Sequence, residues 1–136
     1  SNTPLKTLEG SPGYVYGWFD VSDCSLKSLK GAPQTIDGEF ICSNNHLTTL
    51  EGGPKKVGIH YSCEKNNLKT LKGAPDLIKG DFNCSENNLK SLQYAPAVVY
   101  GDFNCADNAV EFTEDNVRDV CQVRGHIYGA HMNKES

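Results

Sequence analysis

Counted from Leu5, the chain repeats itself every 21 residues: Leu5, Leu26, Leu47, Leu68 and Leu89 open five coils, and Val110 opens a broken sixth. Repetition at this period means a solenoid, in which each unit buries its apolar face only against its neighbours. One such coil cannot bury enough to offset the entropy of ordering its own residues, so stability is shared between stacked coils.

Positions are named below by their offset from the opening leucine. Offset three holds Leu8, Leu29, Leu50, Leu71 and Leu92, and offset seven holds Pro12, Pro33, Pro54, Pro75 and Pro96. Offset ten holds Val15, Ile36, Val57, Ile78 and Val99, and offset fourteen holds Phe19, Phe40, Tyr61, Phe82 and Phe103. These apolar columns face inward. Around offset fourteen apolar and polar residues alternate, as in Phe82-Asn83-Cys84, which is strand periodicity and predicts one parallel sheet when the coils stack. The proline column removes a donor and fixes φ, which predicts extended or polyproline-like backbone on the opposite side. Glycines at offset five (Gly10, Gly31, Gly52, Gly73) and offset twelve (Gly17, Gly38, Gly80, Gly101) mark turns, and the third coil breaks the second set with Ile59.

The segments Phe40-x-Cys42-x-x-Asn45-x-Leu47-x-x-Leu50, Tyr61-x-Cys63-x-x-Asn66-x-Leu68-x-x-Leu71 and Phe82-x-Cys84-x-x-Asn87-x-Leu89-x-x-Leu92 match the leucine-rich repeat consensus. Over residues 5 to about 112 the chain resembles a leucine-rich repeat protein, and most nearly the short-period bacterial and phage-encoded type. The first coil departs from the pattern, with Val21 in the cysteine slot and Cys24 in the asparagine slot. The resemblance implies a recognition scaffold, and an effector-like inhibitor of a host or defence protein if the chain is phage-derived.

The expected fold is therefore mainly β: a leucine-rich-repeat solenoid of five coils over residues 5–112, with one parallel β-sheet face. A C-terminal cap follows over residues 113–131. Thr113 is its N-cap, Glu114 and Asp115 lie in the first turn, Phe112 staples Val117, and the capping helix runs to Gly125 over the last coil's open edge. Residues 1–4 and 132–136 are expected to be tails, and the opening Ser1-Asn2 without Met reads as a cut start.

Cys42, Cys63, Cys84 and Cys105 fall in one register, which stacking would space about 4.8 Å apart. A buried thiol ladder is preferred to a disulfide or a metal, since Val21 fills the same slot; it implies a reducing, cytoplasmic compartment of a bacterial or phage-infected host cell. Zinc held by Cys121, His126 and His131 is the weaker alternative. The column Asn45, Asn66, Asn87 and Asn108 has calcium-ligand chemistry, but amide side chains suit a structural ladder on turn backbone better. No cofactor is expected. No triad, phosphate loop or paired-acid signature points to an enzyme.

A net charge of −4 argues against nonspecific duplex binding, and no apolar run is long enough for a helical membrane span. On the outward side of the sheet, offsets thirteen, fifteen and seventeen carry five formal negative charges and no lysine or arginine. Solvation of a parallel sheet accounts for such a face; so does docking of a protein partner with a basic surface, which is the function expected here. Trp18, Asp20, Glu39, Ile41, His60, Glu64, Asp81, Asn83, Asp102 and Asn104 are the candidate contacts, with Trp18 either an interface anchor or, with Tyr14 and Tyr16, a cap on the first coil. The alternative is a structural role in which the bare N-terminal edge forms a homodimer.

Overall fold

A computed structural model describes residues 8–131. The first leucine, Leu5, and the expected tails lie outside them. The chain winds as a β-solenoid whose coils each contribute two very short parallel strands. The first set comprises β1 (Tyr14–Val15), β3 (Thr35–Ile36), β5 (Lys56–Val57), β7 (Leu77–Ile78), β9 (Val98–Val99) and β11 (Gln122–Val123). The second comprises β2 (Phe19–Asp20), β4 (Phe40–Ile41), β6 (Tyr61–Ser62), β8 (Phe82–Asn83), β10 (Phe103–Asn104) and β12 (Ile127–Tyr128). Each set forms a six-stranded parallel sheet in sequence order.

The solenoid, its period and its predominantly β character are as the repeat predicts. The single sheet face is not. The offset-ten column sits on a sheet of its own, three residues before the aromatic sheet, on the proline side for which the sequence predicts extended or polyproline-like backbone. Proline at offset seven leaves this sheet intact because the pairing strands begin only at offset nine, as in Thr35↔Lys56.

Pairing advances by 21 residues per coil, as in Phe40↔Tyr61 and Tyr61↔Phe82. The columns therefore become rows: Phe40, Tyr61, Phe82 and Phe103 are fully buried, ring above ring, with centroids 5.1–5.5 Å apart. Beside them run the leucine rows and the row Ile36, Val57, Ile78 and Val99. The Tyr61 hydroxyl lies in this core with no hydrogen-bond partner. Its orphaned state has a desolvation cost of about 1–3 kcal/mol that the phenylalanines of neighbouring coils avoid.

The C-terminal part corrects the sequence reading. Thr113 caps α1 (Glu114–Arg118), as expected, and does so through a capping box with Asn116, but the helix is five residues long and stops far short of Gly125. The chain then returns to both sheets as β11 and β12, with Phe103 paired to Ile127. That step is 24 residues (127 minus 103), so the helical turn absorbs three extra residues while both strands keep their register. Val110 is 41% exposed; Phe112 and Val117 supply the apolar contacts of this coil instead. The coil-forming part of the chain thus runs past 112 to Tyr128, and the helix does not cover the ladder edge.

Two glycine columns serve different ends. At offset five, Gly31, Gly52 and Gly73 have φ of 90°, 87° and 102°, the left-handed region. At offset twelve φ is not positive, and the reason is space: a Cβ on Gly38 would meet the Gly17 carbonyl oxygen of the coil before it at 2.8 Å. A second left-handed column carries no glycine. Asp23, Asn44, Lys65, Glu86 and Asp107, at offset eighteen, have φ of 55–61°.

Candidate functional site

The buried columns are structural. Asn66 is 6% exposed, and its Oδ1 accepts the amides of Asn45 at 3.1 Å and Leu47 at 3.0 Å. Its Nδ2 donates to the carbonyls of Cys42 and Cys63, both at 3.1 Å, and of Glu64 at 3.4 Å. Asn45 bonds in the same way, accepting Cys24 and Leu26 amides and donating to Val21, Cys42 and Ser43 carbonyls. With Asn87 and Asn108 they form a ladder that satisfies the turn backbone between coils. These amides are spent on the chain itself, and calcium chemistry has no purchase on them.

Cys42, Cys63, Cys84 and Cys105 are buried free thiols. Cys63 Sγ donates to the Asn83 carbonyl at 3.3 Å and Cys84 Sγ to the Asn104 carbonyl at 3.4 Å, which gives this slot a use for sulfur that Val21 lacks. Burial pushes every thiol of the column up, Cys105 to about 11. Cys121 is likewise pushed up by burial to about 11. It is 3% exposed, while His126 and His131 are exposed, so the trio proposed for zinc is not assembled. Among the described residues no cluster of three His, Cys, Asp or Glu side chains could hold a metal ion.

The thiols carry a prediction. Their folded pKa exceeds the ordinary 9.0, so the stability they contribute is whole below pH 9 and drains away as pH rises towards about 11. At pH 8 the native chain is expected to resist Ellman's reagent, with all six cysteines reacting on denaturation. Rapid labelling of the native chain would show the column to be accessible.

The outward face of the second sheet gathers the residues expected there. Trp18, Glu39, His60, Asp81 and Asp102 form a column just before its strands. Asp20, Ile41, Asn83 and Asn104 are paired strand residues in the adjacent column, and Glu64 lies two residues past β6. Trp18 is 71% exposed and Asp20 is exposed, whereas the other eight are half-buried. His126 and Tyr128 extend the two columns into the last coil. Ile41 is seated in the sheet rather than raised above it.

Several of these side chains have duties within the chain. His60 Nδ1 accepts the Asp81 amide at 2.8 Å, Asp81 Oδ1 accepts the Asp102 amide at 2.8 Å, and Asp102 Oδ1 accepts the His126 amide at 2.8 Å. This second ladder climbs the corner where the glycines of offset twelve make room. Asp20 Oδ1 binds the Ser22 amide at 2.9 Å and hydroxyl at 2.7 Å, and Asn83 treats Ser85 the same way. The aspartates hold turns as well as presenting charge.

Sequence reasoning passed over the outward face of the first sheet. Tyr14, Thr35, Lys56, Leu77, Val98 and Gln122 form its row, flanked by Lys79 and by Arg124, whose guanidinium lies 5.0 Å from the Tyr100 ring centroid. Leu77 is 41% and Tyr100 49% exposed. The alternation of buried Val or Ile with a variable neighbour at offset nine is the signal that marks this face.

No family model, curated protein or solved structure matches the chain.

Proposed function

We propose that this chain is a non-enzymatic binding module that docks a protein partner with a basic surface on the outer face of its second sheet. The carrying observation is the charge of that face: Asp20, Glu39, Glu64, Asp81 and Asp102 line it with no lysine or arginine among them, whereas the first sheet's side is mixed, with Lys56, Lys79 and Arg124 beside Asp37 and Asp76. Such a face steers a positively charged partner and sets its register. The core supports the same reading, since its asparagines and thiols are occupied in holding coils together and the functional surface is left to the outside. The resemblance to leucine-rich repeat proteins favours a recognition scaffold too, and its phage-type flavour suggests an inhibitor of a host or defence protein. The buried thiols suit a reducing, cytoplasmic setting.

The side-chain ladder dictates how to test this. Reversing Asp81, Asp102 or Asp20 would break bonds to the Asp102, His126 and Ser22 backbone amides, so these three are changed to asparagine, which keeps the acceptor, and Glu39 is changed to lysine. Against a purified partner first recovered by pull-down, this quadruple variant is expected to bind at least about tenfold more weakly, and wild-type affinity is expected to fall with added salt. Undiminished binding by the folded variant, or loss of binding on Lys56→Glu with Lys79→Glu instead, would place the contact elsewhere.

A further inference from the structure

Among the described residues both ends of the stack stop on open ladders: β1 and β2 are terminal strands at one end, β11 and β12 at the other. The two ends are not alike, and they are complementary.

The inner junctions of the second sheet follow one rule. The amides of Phe19, Phe40, Tyr61, Phe82 and Phe103 donate to the carbonyls of Glu39, His60, Asp81, Asp102 and His126 at 2.8–2.9 Å. The next donor in that series is the Ile127 amide, and the acceptor that would precede the series is the Trp18 carbonyl. The side-chain ladder extends in the same way. His60, Asp81 and Asp102 each accept the amide one coil further on. His126 is next in line, with an imidazole like that of His60, and a coil stacked beyond it would offer a Trp18 amide.

Packing and charge agree. Within the aromatic row, Phe40, Tyr61, Phe82 and Phe103 are fully buried, but the end members Phe19 and Ile127 are half-buried. At the last coil His126 and Tyr128 stack with ring centroids 6.2 Å apart, and its strand region, residues 121–131, carries Arg124 and no acid, the acids Glu111, Glu114, Asp115 and Asp119 all preceding it. The first coil's strand region, residues 14–24, carries Asp20 and Asp23 and no base. The first sheet is treated differently. Arg118 Nη1 donates to the Val123 carbonyl at 3.3 Å, the acceptor a further strand would need, so this edge is blunted and the second sheet's is not.

We propose that the last coil receives the first coil of a second copy, β12 against β2 in parallel, with the Ile127 amide on the partner's Trp18 carbonyl and His126 accepting the partner's Trp18 amide. The contact is heterologous, joining unlike ends, and it therefore propagates into short chains of copies rather than closing as a dimer. This goes beyond the docking face proposed above and leaves that face outward along the whole stack.

Sedimentation equilibrium on the full chain tests it. Wild type is expected to show a concentration-dependent series extending beyond dimer. Trp18→Lys blocks one end and Tyr128→Lys the other; both side chains are largely exposed, so the fold survives. Each variant alone is expected to lose association at least about tenfold, and an equimolar mixture to form heterodimers and stop there, because each pair then has two blocked ends. A wild type that stays monomeric at high concentration overturns the proposal. So does a Tyr128→Lys variant that self-associates as wild type does, or a mixture that fails to associate when wild type does.

Discussion

Replacing Asn66 with alanine is expected to destabilise the chain by about 4 kcal/mol, read as a fall in the urea midpoint at unchanged m-value. The magnitude follows from what is orphaned. Two backbone amides, Asn45 and Leu47, lose their acceptor in a site that is 6% exposed, while the Cys42 and Cys63 carbonyls lose one donor each and keep the Nδ2 of Asn45 and of Asn87. Each unmet buried group costs about 1–3 kcal/mol, and partial entry of water into the vacated space returns some of it. Aspartate at the same position sharpens the test. It keeps the acceptor but sets a carboxylate oxygen against three carbonyls, so Asn66→Asp is expected to be at least as damaging as alanine at neutral pH and to recover as acid protonates it. If Asn66→Ala melts within about 1 kcal/mol of wild type, the asparagine row is an accompaniment of the fold and not its fastening.

The second large effect belongs to Gly73→Ala, expected to cost about 3 kcal/mol or more. Two independent penalties meet there. The backbone sits at φ 102°, where an L side chain is strained. The Cβ would also collide with the carbonyl of Leu50 and the amide of Glu51 one coil below, and these are backbone atoms that cannot swing aside. Gly10 separates the two terms, since its φ is 92° but a Cβ there meets nothing within 4 Å. Gly10→Ala therefore reports strain alone, at about 1–2 kcal/mol. Equal thermal shifts for the two variants would show that contact between coils is not the reason for glycine at Gly73. Tyr94 occupies the equivalent place in the fifth coil at φ 73°, so the column demands a left-handed turn more strictly than it demands glycine.

What the sequence discloses and what it hides divide along a physical line. Columns of like residues translate directly into stacked rows, because parallel pairing with a constant step maps a period onto an axis. The buried aromatics, the thiols and the asparagine ladder were legible for that reason. The first sheet was hidden because its strands are two residues long and proline-bearing backbone precedes them, so its alternation is confined to a single pair of residues in each coil. The last coil was hidden by its spacing: Ile127 follows Phe103 by 24 residues and is not aromatic, while the N-cap Thr113, the first-turn acids and the Phe112–Val117 staple drew the reading towards a longer helix. The left-handed turn at offset eighteen was invisible because Asp, Asn, Lys and Glu fill it without one glycine. At the candidate face the residues were identifiable, but their inward obligations were not. That Asp81 and Asp102 hold the amides of the following coil depends on side-chain direction at a corner, which a column of letters does not record.

The last coil shows where this architecture has slack. Three surplus residues are taken up as a helical turn on the side that lies outside both sheets, and Gln122 and Ile127 still meet Val98 and Phe103 in step. Changes of length there are mechanically uncoupled from the two faces, so that side of the winding is where new segments could be spliced in, or a tag displayed, with the spacing of charge along the acidic surface preserved.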